Sequence, residues 1–392
     1  MIDPPFMIPP GILTASAVDR KTGIQDRHLL RGDILKKIRT AVFGLGRMGW
    51  GAHFERLNKD ERYEVVAVAD RLDANRKRAT DVGDCAAFSE ATDVLARAGE
   101  LDLELAVNVL PSHVHVELGL AALAAGLHTV IEKPLAPSAA GVEQLIAAAE
   151  KADRHLLAHH NRRFLKLYCA VKQAADSGKL GRIFQLTINM NGDFSRRNDW
   201  QTLKKMNGGL LRNHGSHWID MALYVLGEPV TDVWGDCKQI CAAGDTEDHA
   251  KILFRTASGC VVDITCSCAS KTERKVPQFV MYGTSGTLVS DGDNRLIIES
   301  FDASAQPAVA VDLGPHGKYS GEKIATTCSV VDVRATNTGG GYYDNVVEVL
   351  REGAEPRVAL DQVLDVYRVI DKAGAAGTAD WRPSHYLPLV DE

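Results

Sequence analysis

Two basic side chains, far apart in the sequence, stand in contexts that suit proton transfer. Lys133 lies in Glu132-Lys133-Pro134, directly after a short apolar run, and the proline restricts the turn that carries the lysine. His217 lies near the start of a helical run, and its imidazole titrates near neutral pH. The oxidation of a secondary alcohol needs such a proton acceptor and a cation to hold the developing alkoxide. The alternatives are a surface salt bridge for Lys133 and a purely structural hydrogen bond for His217.

Three polar residues surround His217 in the sequence. Asp220 follows it by three positions, so that its carboxylate can share a helical face with the imidazole and orient it, or pair elsewhere for stability. Asn213 precedes it by four positions and offers an amide, which hydrogen-bonds a hydroxyl but neither carries a charge nor takes a proton. His214 adds a further imidazole whose direction the sequence leaves open.

A glycine loop, Gly44-Leu45-Gly46-Arg47-Met48-Gly49, is the third chemical motif. A β-prone run, Ile38–Phe43, precedes it; a helical stretch from Met48 to about Asn58 follows, and then a second apolar run ends at Asp70. In this arrangement the first glycine permits a tight turn, the second lets the backbone approach a pyrophosphate, and the third lets the helix pack on the strand. The loop therefore predicts a dinucleotide-binding site, since strand, helix and acid all stand where that site needs them.

The residues after the second strand bear on the choice of cofactor. Asp70 is the expected partner of the adenosine ribose hydroxyls, which favours NAD because a 2′-phosphate would meet a carboxylate. Arg71 could instead bind that phosphate or be a solvated turn residue. We expect NAD, with NADP as the alternative.

The strand–helix pattern repeats downstream. Leu105–Leu110 is an apolar run that ends at Pro111, a helix from about His115 to Ala125 follows, and the strand His128–Ile131 leads into Glu132-Lys133. Strands this apolar suit a parallel sheet that is covered on both faces. Because ligands of such sheets bind beyond the carboxyl ends of the strands, the glycine loop and Lys133 should lie at one edge.

Composition excludes several classes of protein. The chain has 392 residues, 45% of them hydrophobic and 24% charged, and a net charge of −6, which argues against nucleic-acid and anionic-membrane partners. No apolar run is long enough to span a bilayer, and residues 1–37 lack the pattern of an export signal. The eight scattered cysteines suit free thiols in a reducing compartment, so we expect a cytoplasmic protein.

Four stretches taken together resemble the Gfo/Idh/MocA (glucose–fructose oxidoreductase/inositol dehydrogenase) family. They are the glycine loop, Pro111-Ser112-His113-Val114-His115, Glu132-Lys133-Pro134, and the segment from Gly208-Gly209 through His217 to Asp220, and the likeness runs from about Ile38 to Ala376. The resemblance implies an α/β protein: an N-terminal Rossmann dinucleotide-binding domain and a C-terminal α/β domain with a large, mostly antiparallel open sheet. The expected boundaries are an N-terminal extension at 1–37, the Rossmann domain at 38–160, the second domain at 161–376 and a tail at 377–392.

The second half independently shows the strand patterns that this fold requires. Tyr342 and Tyr343 begin a helix that, by resemblance, starts the return of the chain to the first domain. The predicted strands are Phe184–Asn189, Ala250–Arg255, Gly259–Cys268, Gln278–Tyr282 and Leu296–Ser300.

The resemblance also implies roles for individual residues. Lys133 and His217 would be catalytic, with Lys133 between the nicotinamide and the substrate hydroxyl. Many family members carry Asp where this chain has Asn213, which puts a carboxylate-assisted mechanism in doubt. No metal ligand is expected. The cofactor-binding candidates are Gly44, Leu45, Gly46, Arg47, Met48, Asp70, Arg71, Leu110, Pro111, His115, Glu132, Lys133 and Asn161, and the substrate-binding candidates are Lys133, Arg163, Asn213, His214 and His217, with Trp200 and Lys204 as weaker ones.

The function implied is an NAD(P)-dependent oxidoreductase that transfers a hydride between nicotinamide and a secondary hydroxyl or keto group of a sugar, polyol or sugar derivative. The alternatives are a catalytically silent cofactor-binding regulator, and an enzyme that uses tightly bound NAD transiently for elimination or glycoside cleavage. By resemblance, the C-terminal sheet would join subunits into a homo-oligomer, a dimer or a tetramer.

Overall fold

The computed structural model describes residues 36–191, 194–271, 273, 276–311, 313, 323–383 and 386. The predicted N-terminal extension, except for its last two residues, and half of the predicted tail lie outside this range. Residues Lys37–Glu392 form one compact unit that contains two sheets. Within the described residues, no helix is both long and apolar enough to cross a membrane.

The first sheet has six parallel strands in the order β3-β2-β1-β4-β5-β6. Its central strands are almost wholly apolar because helices cover both faces, as the sequence predicted for a parallel sheet. Its strands are β1 (Ile38–Phe43), β2 (Tyr63–Ala69), β3 (Ala86–Phe88), β4 (Leu105–Asn108), β5 (His128–Ile131) and β6 (Leu156–Ala158).

The second sheet has nine strands in the order β14-β13-β12-β11-β7-β10-β9-β8-β15. It is mostly antiparallel, and its parallel neighbours are β7 with β10 and β8 with β15. The expected fold class is thereby confirmed. The strands are β7 (Ile183–Asn191), β8 (Val230–Gln239), β9 (His249–Thr256), β10 (Val261–Ser267), β11 (Phe279–Gly283), β12 (Gly286–Asp291), β13 (Arg295–Ser300), β14 (Thr327–Asp332) and β15 (Thr378–Asp380).

Nine α-helices are described beside several short helical turns. The five that surround the first sheet are α1 (Glu55–Lys59), α2 (Asp73–Val82), α3 (Ala91–Ala96), α4 (His115–Ala124) and α5 (Ala139–Ala152). The other four are α6 (Lys166–Asp176), α7 (Ser216–Leu226), α8 (Tyr342–Glu352) and α9 (Leu360–Ala373).

The structure adds three local features that the sequence did not predict. The helix predicted from Met48 begins as a π-helical turn, Gly49–Phe54, before α1, and a second π-helical turn, Leu211–Gly215, precedes α7. The segment expected to be a plain tail contributes the strand β15, which pairs with β8 at the edge of the second sheet. The π-helical turns are of interest because such turns often mark functional sites.

The last two helices tie the two sheets together. Tyr63 of β2 donates its hydroxyl hydrogen to the carbonyl of Tyr343 at 2.7 Å, and the Tyr342 hydroxyl donates to the carbonyl of Leu157. In α9, Tyr367 accepts the backbone N–H of Leu135. The segment after Glu132-Lys133 is therefore held by the C-terminal helices, which fixes one sheet against the other.

Candidate active site

The carboxyl ends of the first sheet's strands bring the predicted motifs to one edge. The glycine loop follows β1, Asp70 follows β2, Leu110 follows β4, Glu132 and Lys133 follow β5, and Asn161 lies beyond β6. Parallel strands place these positions side by side even though the first and the last are more than a hundred residues apart in the chain. The site is thus built by topology from short local motifs.

The glycine loop is shaped so that only glycine fits at two of its positions. Gly44 has a φ of +90°, and a Cβ there would lie 2.8 Å from the carbonyl oxygen of Val109. A Cβ at Gly49 would lie 1.8 Å from the carbonyl oxygen of Gly44, closer than any real contact. A Cβ at Gly46, by contrast, would meet nothing within 4 Å, which leaves the open backbone approach that a pyrophosphate needs.

Asp70 holds the glycine loop by its carboxylate. One oxygen accepts the backbone N–H of Leu45 at 2.7 Å, and the other accepts that of Leu72 at 2.9 Å. Each carboxylate oxygen keeps a further lone pair, so that the residue can still accept ribose hydroxyls. The Arg71 side chain is 83% exposed and lies 3.4 Å from Glu90. The loop, the acid and the open backbone together fit an NAD molecule.

A cavity of about 460 Å³ lies beside this edge, between residues of the first sheet and of the segment that leads into α7. Of the predicted cofactor residues it contains Arg47, Met48, Leu110, His115, Glu132, Lys133 and Asn161, and of the substrate residues Asn213, His214 and His217 as well as the weaker candidate Trp200. The lining residues that were not predicted as catalytic or binding residues are Val109, Ser112, Pro134, Arg162, Leu165, Arg197, Gln201, Asn207 and Gly208.

Several predicted residues lie outside the cavity lining. Gly44, Leu45, Gly46, Asp70 and Arg71 lie at the strand ends described above, and Pro111 is likewise not among the lining residues. The side chain of Lys204 belongs to a different depression, which Pro137 and Arg212 also line.

Lys133 reaches across the cavity to the segment before α7. Its Nζ donates hydrogen bonds to Oδ1 of Asn213 at 2.8 Å and to the backbone oxygen of the same residue at 3.2 Å. Burial lowers the pKa of Lys133 below 10.5; Glu132 opposes this effect, and the positive charges of Arg162 and Arg197 add to it. The lysine is therefore held by amide oxygens alone.

His217 is buried at the cavity wall in a neutral form. Its Nδ1 has no hydrogen-bond partner in the part of the chain that the structure describes. Burial lowers the pKa of His217 well below 6.5, and the charges of Lys133 and Arg162 lower it further. The pKa of His214 is lowered to about 3 by burial and by the same cations. Both imidazoles are thus unprotonated at neutral pH and can accept a proton.

The structure corrects the assignment of Arg163 and shows which of the two alternatives for Asp220 holds. Arg163, expected to reach the substrate, is fully buried and donates hydrogen bonds to Asp220 at 2.6–3.2 Å and to Gln362. Asp220 consequently does not orient His217; besides Arg163, the imidazole of His160 lies 3.6 Å from its carboxylate, and burial lowers the pKa of that imidazole. The arginine that faces the cavity is the preceding one, Arg162, whose guanidinium stacks 4.3 Å from the ring of Trp218.

The buried carboxylate of Glu132 fixes the backbone at Lys133 through its hydrogen bonds. Its Oε1 accepts hydrogen bonds from His159 at 2.6 Å and from His53 at 3.2 Å, and its Oε2 accepts the backbone N–H of Lys133 at 2.9 Å. Although burial favours its neutral form, the two histidines hold the pKa of Glu132 well below 4.5. His53 also bonds the hydroxyl of Tyr343 at 2.6 Å, which connects this network to α8.

The group of His53, Glu132 and His159 also has the spacing of a metal site. The ligand atoms of His53, Glu132 and His159 lie within 4.8 Å of one another, a spacing that a metal ion could also use, although the sequence predicted no metal ligands. Two hydrogen bonds to Glu132 and a ring contact between His53 and His159, with centroids 4.4 Å apart, account for this spacing without a metal ion. His115, nearby, lies 2.8 Å from the carbonyl oxygen of Pro134 and 2.7 Å from that of Leu110, and so braces the two loops.

Two family models match this chain. One, described as "Oxidoreductase family, NAD-binding Rossmann fold", matches residues 38–160, and the other, "GFO/IDH/MocA C-terminal domain", matches residues 168–289. Among curated relatives, inositol 2-dehydrogenase of Rhizobium meliloti is 26% identical over 67% of this chain and 78% of its own length. D-apiose dehydrogenase of Paraburkholderia graminis is 28% identical over 83% of this chain and 84% of its own length.

Solved structures show the same fold. An NAD-binding protein from Listeria innocua superimposes with a TM-score of 0.74 at 23% identity, covering 88% of this chain and 98% of its own. The WlbA dehydrogenase of Bordetella pertussis, solved in complex with NADH and UDP-GlcNAcA, has a TM-score of 0.69 at 23% identity and covers 87% and 97%. With both family models matched in order, this chain belongs to the Gfo/Idh/MocA family of NAD(P)-dependent oxidoreductases.

Proposed function

We propose that the protein transfers a hydride between NAD and a secondary hydroxyl or keto group of a sugar, polyol or sugar derivative. The observation that carries this proposal is the meeting of Lys133 and His217 at one cavity beside the glycine-loop edge. The curated relatives that act on inositol and apiose support a substrate of this class. The bound cofactor would accept or supply the hydride, and the chain's own groups would handle the proton.

The roles follow from the charge states of the two side chains. Lys133, held toward the cavity by Asn213, donates a hydrogen bond to the substrate oxygen and stabilises negative charge that develops there. His217 is neutral and accepts the hydroxyl proton during oxidation, then returns it during reduction. Asn213 cannot share the proton, so its part is to position the ammonium group of Lys133.

The cofactor would lie along the strand-end edge, with its pyrophosphate at the loop and its ribose at Asp70. Arg71 is exposed and faces Glu90, so that Asp70 is the buried charge beside the expected position of the ribose. A carboxylate at this position favours NAD over NADP. We expect Asp70→Asn to weaken the binding of NADH more than that of NADPH, measured by the quenching of tryptophan fluorescence. The reverse order would assign the choice of cofactor to Arg71.

The direct test follows nicotinamide absorbance across a panel of sugars, polyols and their oxidised and charged derivatives. The Lys133→Met variant should lose turnover while it keeps its affinity for NADH, and Lys77→Met, which changes an exposed lysine, is the matched control. Turnover that survives in Lys133→Met would refute the role of this residue. Binding of NADH without turnover on the whole panel would favour a silent regulator, and product formation without net NADH would favour transient use of NAD.

We also propose that the protein self-associates through the outer face of the second sheet. Phe184 of β7 and Tyr282 of β11 are 49% and 40% exposed and stack with their ring centroids 6.4 Å apart, and Trp234 of β8 is 53% exposed. Exposed aromatic rings on one sheet are typical of a surface that a second subunit covers. Phe184→Arg should reduce the mass measured by light scattering; an unchanged mass would show that the interface lies elsewhere.

The cytoplasmic location stays a prediction.

A further inference from the structure

The charged residues that line the active-site cavity are unbalanced. Four are cations, Arg47, Lys133, Arg162 and Arg197, and one is a carboxylate, Glu132. A cavity that receives a neutral sugar has no need of this excess, because buried charges are costly unless they are paired. The excess of cations therefore bears on the charge of the ligand that binds in this cavity.

The single carboxylate favours the charged form of Lys133, but among the described residues it forms no ion pair with any of the four cations. Both oxygens of Glu132 already accept hydrogen bonds, from His53 and His159 on one side and from the backbone N–H of Lys133 on the other. The side-chain ammonium of Lys133 is bonded instead to the two oxygens of Asn213, neither of which carries a full charge. An aspartate at position 213 would have balanced the lysine, and this chain has an amide there.

Two of the four cations have partners of their own. Arg197 forms an ion pair with Asp199 at 2.7 Å, and Arg47 belongs to the glycine loop, where the cofactor pyrophosphate supplies negative charge. Arg162 has neither. Among the described residues no carboxylate lies within 4.0 Å of its guanidinium, which donates to the hydroxyl of Tyr168 at 2.5 Å and stacks on Trp218.

Arg162 and Lys133 are therefore two positive charges at the cavity that have no ion-pair partner among the described residues. A guanidinium stacked on an aromatic ring is held in a fixed plane, and its fork of N–H donors matches the geometry of a carboxylate or a phosphate. We propose that the substrate carries such an anionic group, bound by Arg162, so that it is a sugar acid or a sugar phosphate rather than a neutral sugar or polyol. The inference rests on the proposed function and narrows its substrate class.

The test measures binding separately from turnover. The NADH-bound protein is titrated calorimetrically with glucuronate, galacturonate, glucose 6-phosphate and inorganic phosphate, and with the neutral parents glucose and galactose. We expect at least one anion to bind about tenfold more tightly than its neutral parent, which is the contribution of one charged hydrogen bond. Preference for the uronates or for the phosphates identifies the anion. If no anion binds more tightly than the neutral compounds, the proposal is overturned.

Variants locate the contact. Arg162→Gln should remove the preference for the anion, whereas Arg334→Gln, an exposed arginine paired with Asp332, should retain it. Arg162→Lys keeps the charge without the fork and should retain part of the preference, and unchanged affinity for NADH shows that each variant is folded. Anion preference that survives in Arg162→Gln would overturn the assignment. Anion binding without hydride transfer would refute the proposed function alone, and turnover of neutral sugars without anion preference would refute this inference alone.

Discussion

Replacing Asn213 by aspartate should move the pH range in which the enzyme works. The substitution puts a carboxylate oxygen where Oδ1 of Asn213 now lies, 2.8 Å from Nζ of Lys133. At an effective dielectric constant of about 20, two charges at this distance attract by about 6 kcal/mol, and solvent that reaches the cavity screens part of this attraction. A net gain of about 2–3 kcal/mol raises the pKa of Lys133 by about two units.

The assay is the pH profile of kcat/KM for hydride transfer. In the natural protein the alkaline limb lies below pH 10.5, because burial lowers the pKa of Lys133 and the protonated form is the active one. The acid limb lies well below pH 6.5, because His217 must be neutral and its pKa is lowered by burial. In Asn213→Asp the alkaline limb should move up by about two pH units.

A matched control separates this local effect from a general change in charge. Asn294→Asp adds the same charge at an exposed turn between β12 and β13, and its profile should coincide with that of the natural protein. Because the new carboxylate also neutralises Lys133, an anionic substrate should bind Asn213→Asp more weakly. An alkaline limb that stays in place would refute both the contact and the assignment of Lys133.

Three further predictions concern the loop, the buried ion pair and the histidine network. Gly49→Ala should abolish tight NADH binding, because its Cβ would lie 1.8 Å from the carbonyl oxygen of Gly44, whereas Gly51→Ala, with nothing within 4 Å, should leave it intact in a fluorescence titration. Arg163→Met should lower the free energy of unfolding by about 3–5 kcal/mol, since it leaves Asp220 buried without its partner. A similar loss in Arg162→Met, by urea unfolding, would contradict the different roles given to the two arginines. Burial and His159 lower the pKa of His53 from 6.5 to about 4 in the folded protein, so the unfolded chain binds more protons between these values and stability falls as the pH drops through that window. His53→Gln should reduce this loss by about 3 kcal/mol, and an unchanged slope of unfolding free energy against pH would refute the shift.

The sequence by itself determined the elements whose signals are local. The first strand, the glycine loop and Asp70 lie within about thirty residues, and each step of that βαβ unit has its own physical requirement. The unit could therefore be predicted without any contact between residues that are distant in the chain. Five strands of the second sheet were recognisable by alternation. The strands β8, β12, β14 and β15 of that sheet, and β3 and β6 of the first sheet, were missed because they are short or only partly apolar. The shared edge of the strand ends followed from topology alone.

Only the tertiary structure decided which of two adjacent arginines faces the cavity. Arg162 and Arg163 lie in one short turn without helical or strand periodicity, so their directions depend on what packs against each of them. Asp220 captures Arg163 in the core, and Trp218 holds Arg162 at the cavity. The partner of Asp220, the charge balance around Lys133 and the bond between His53 and Tyr343, 290 residues apart, likewise depend on contacts between distant segments. Residue types and spacing thus specify a local motif, whereas the pairing of buried charges is settled when the chain folds.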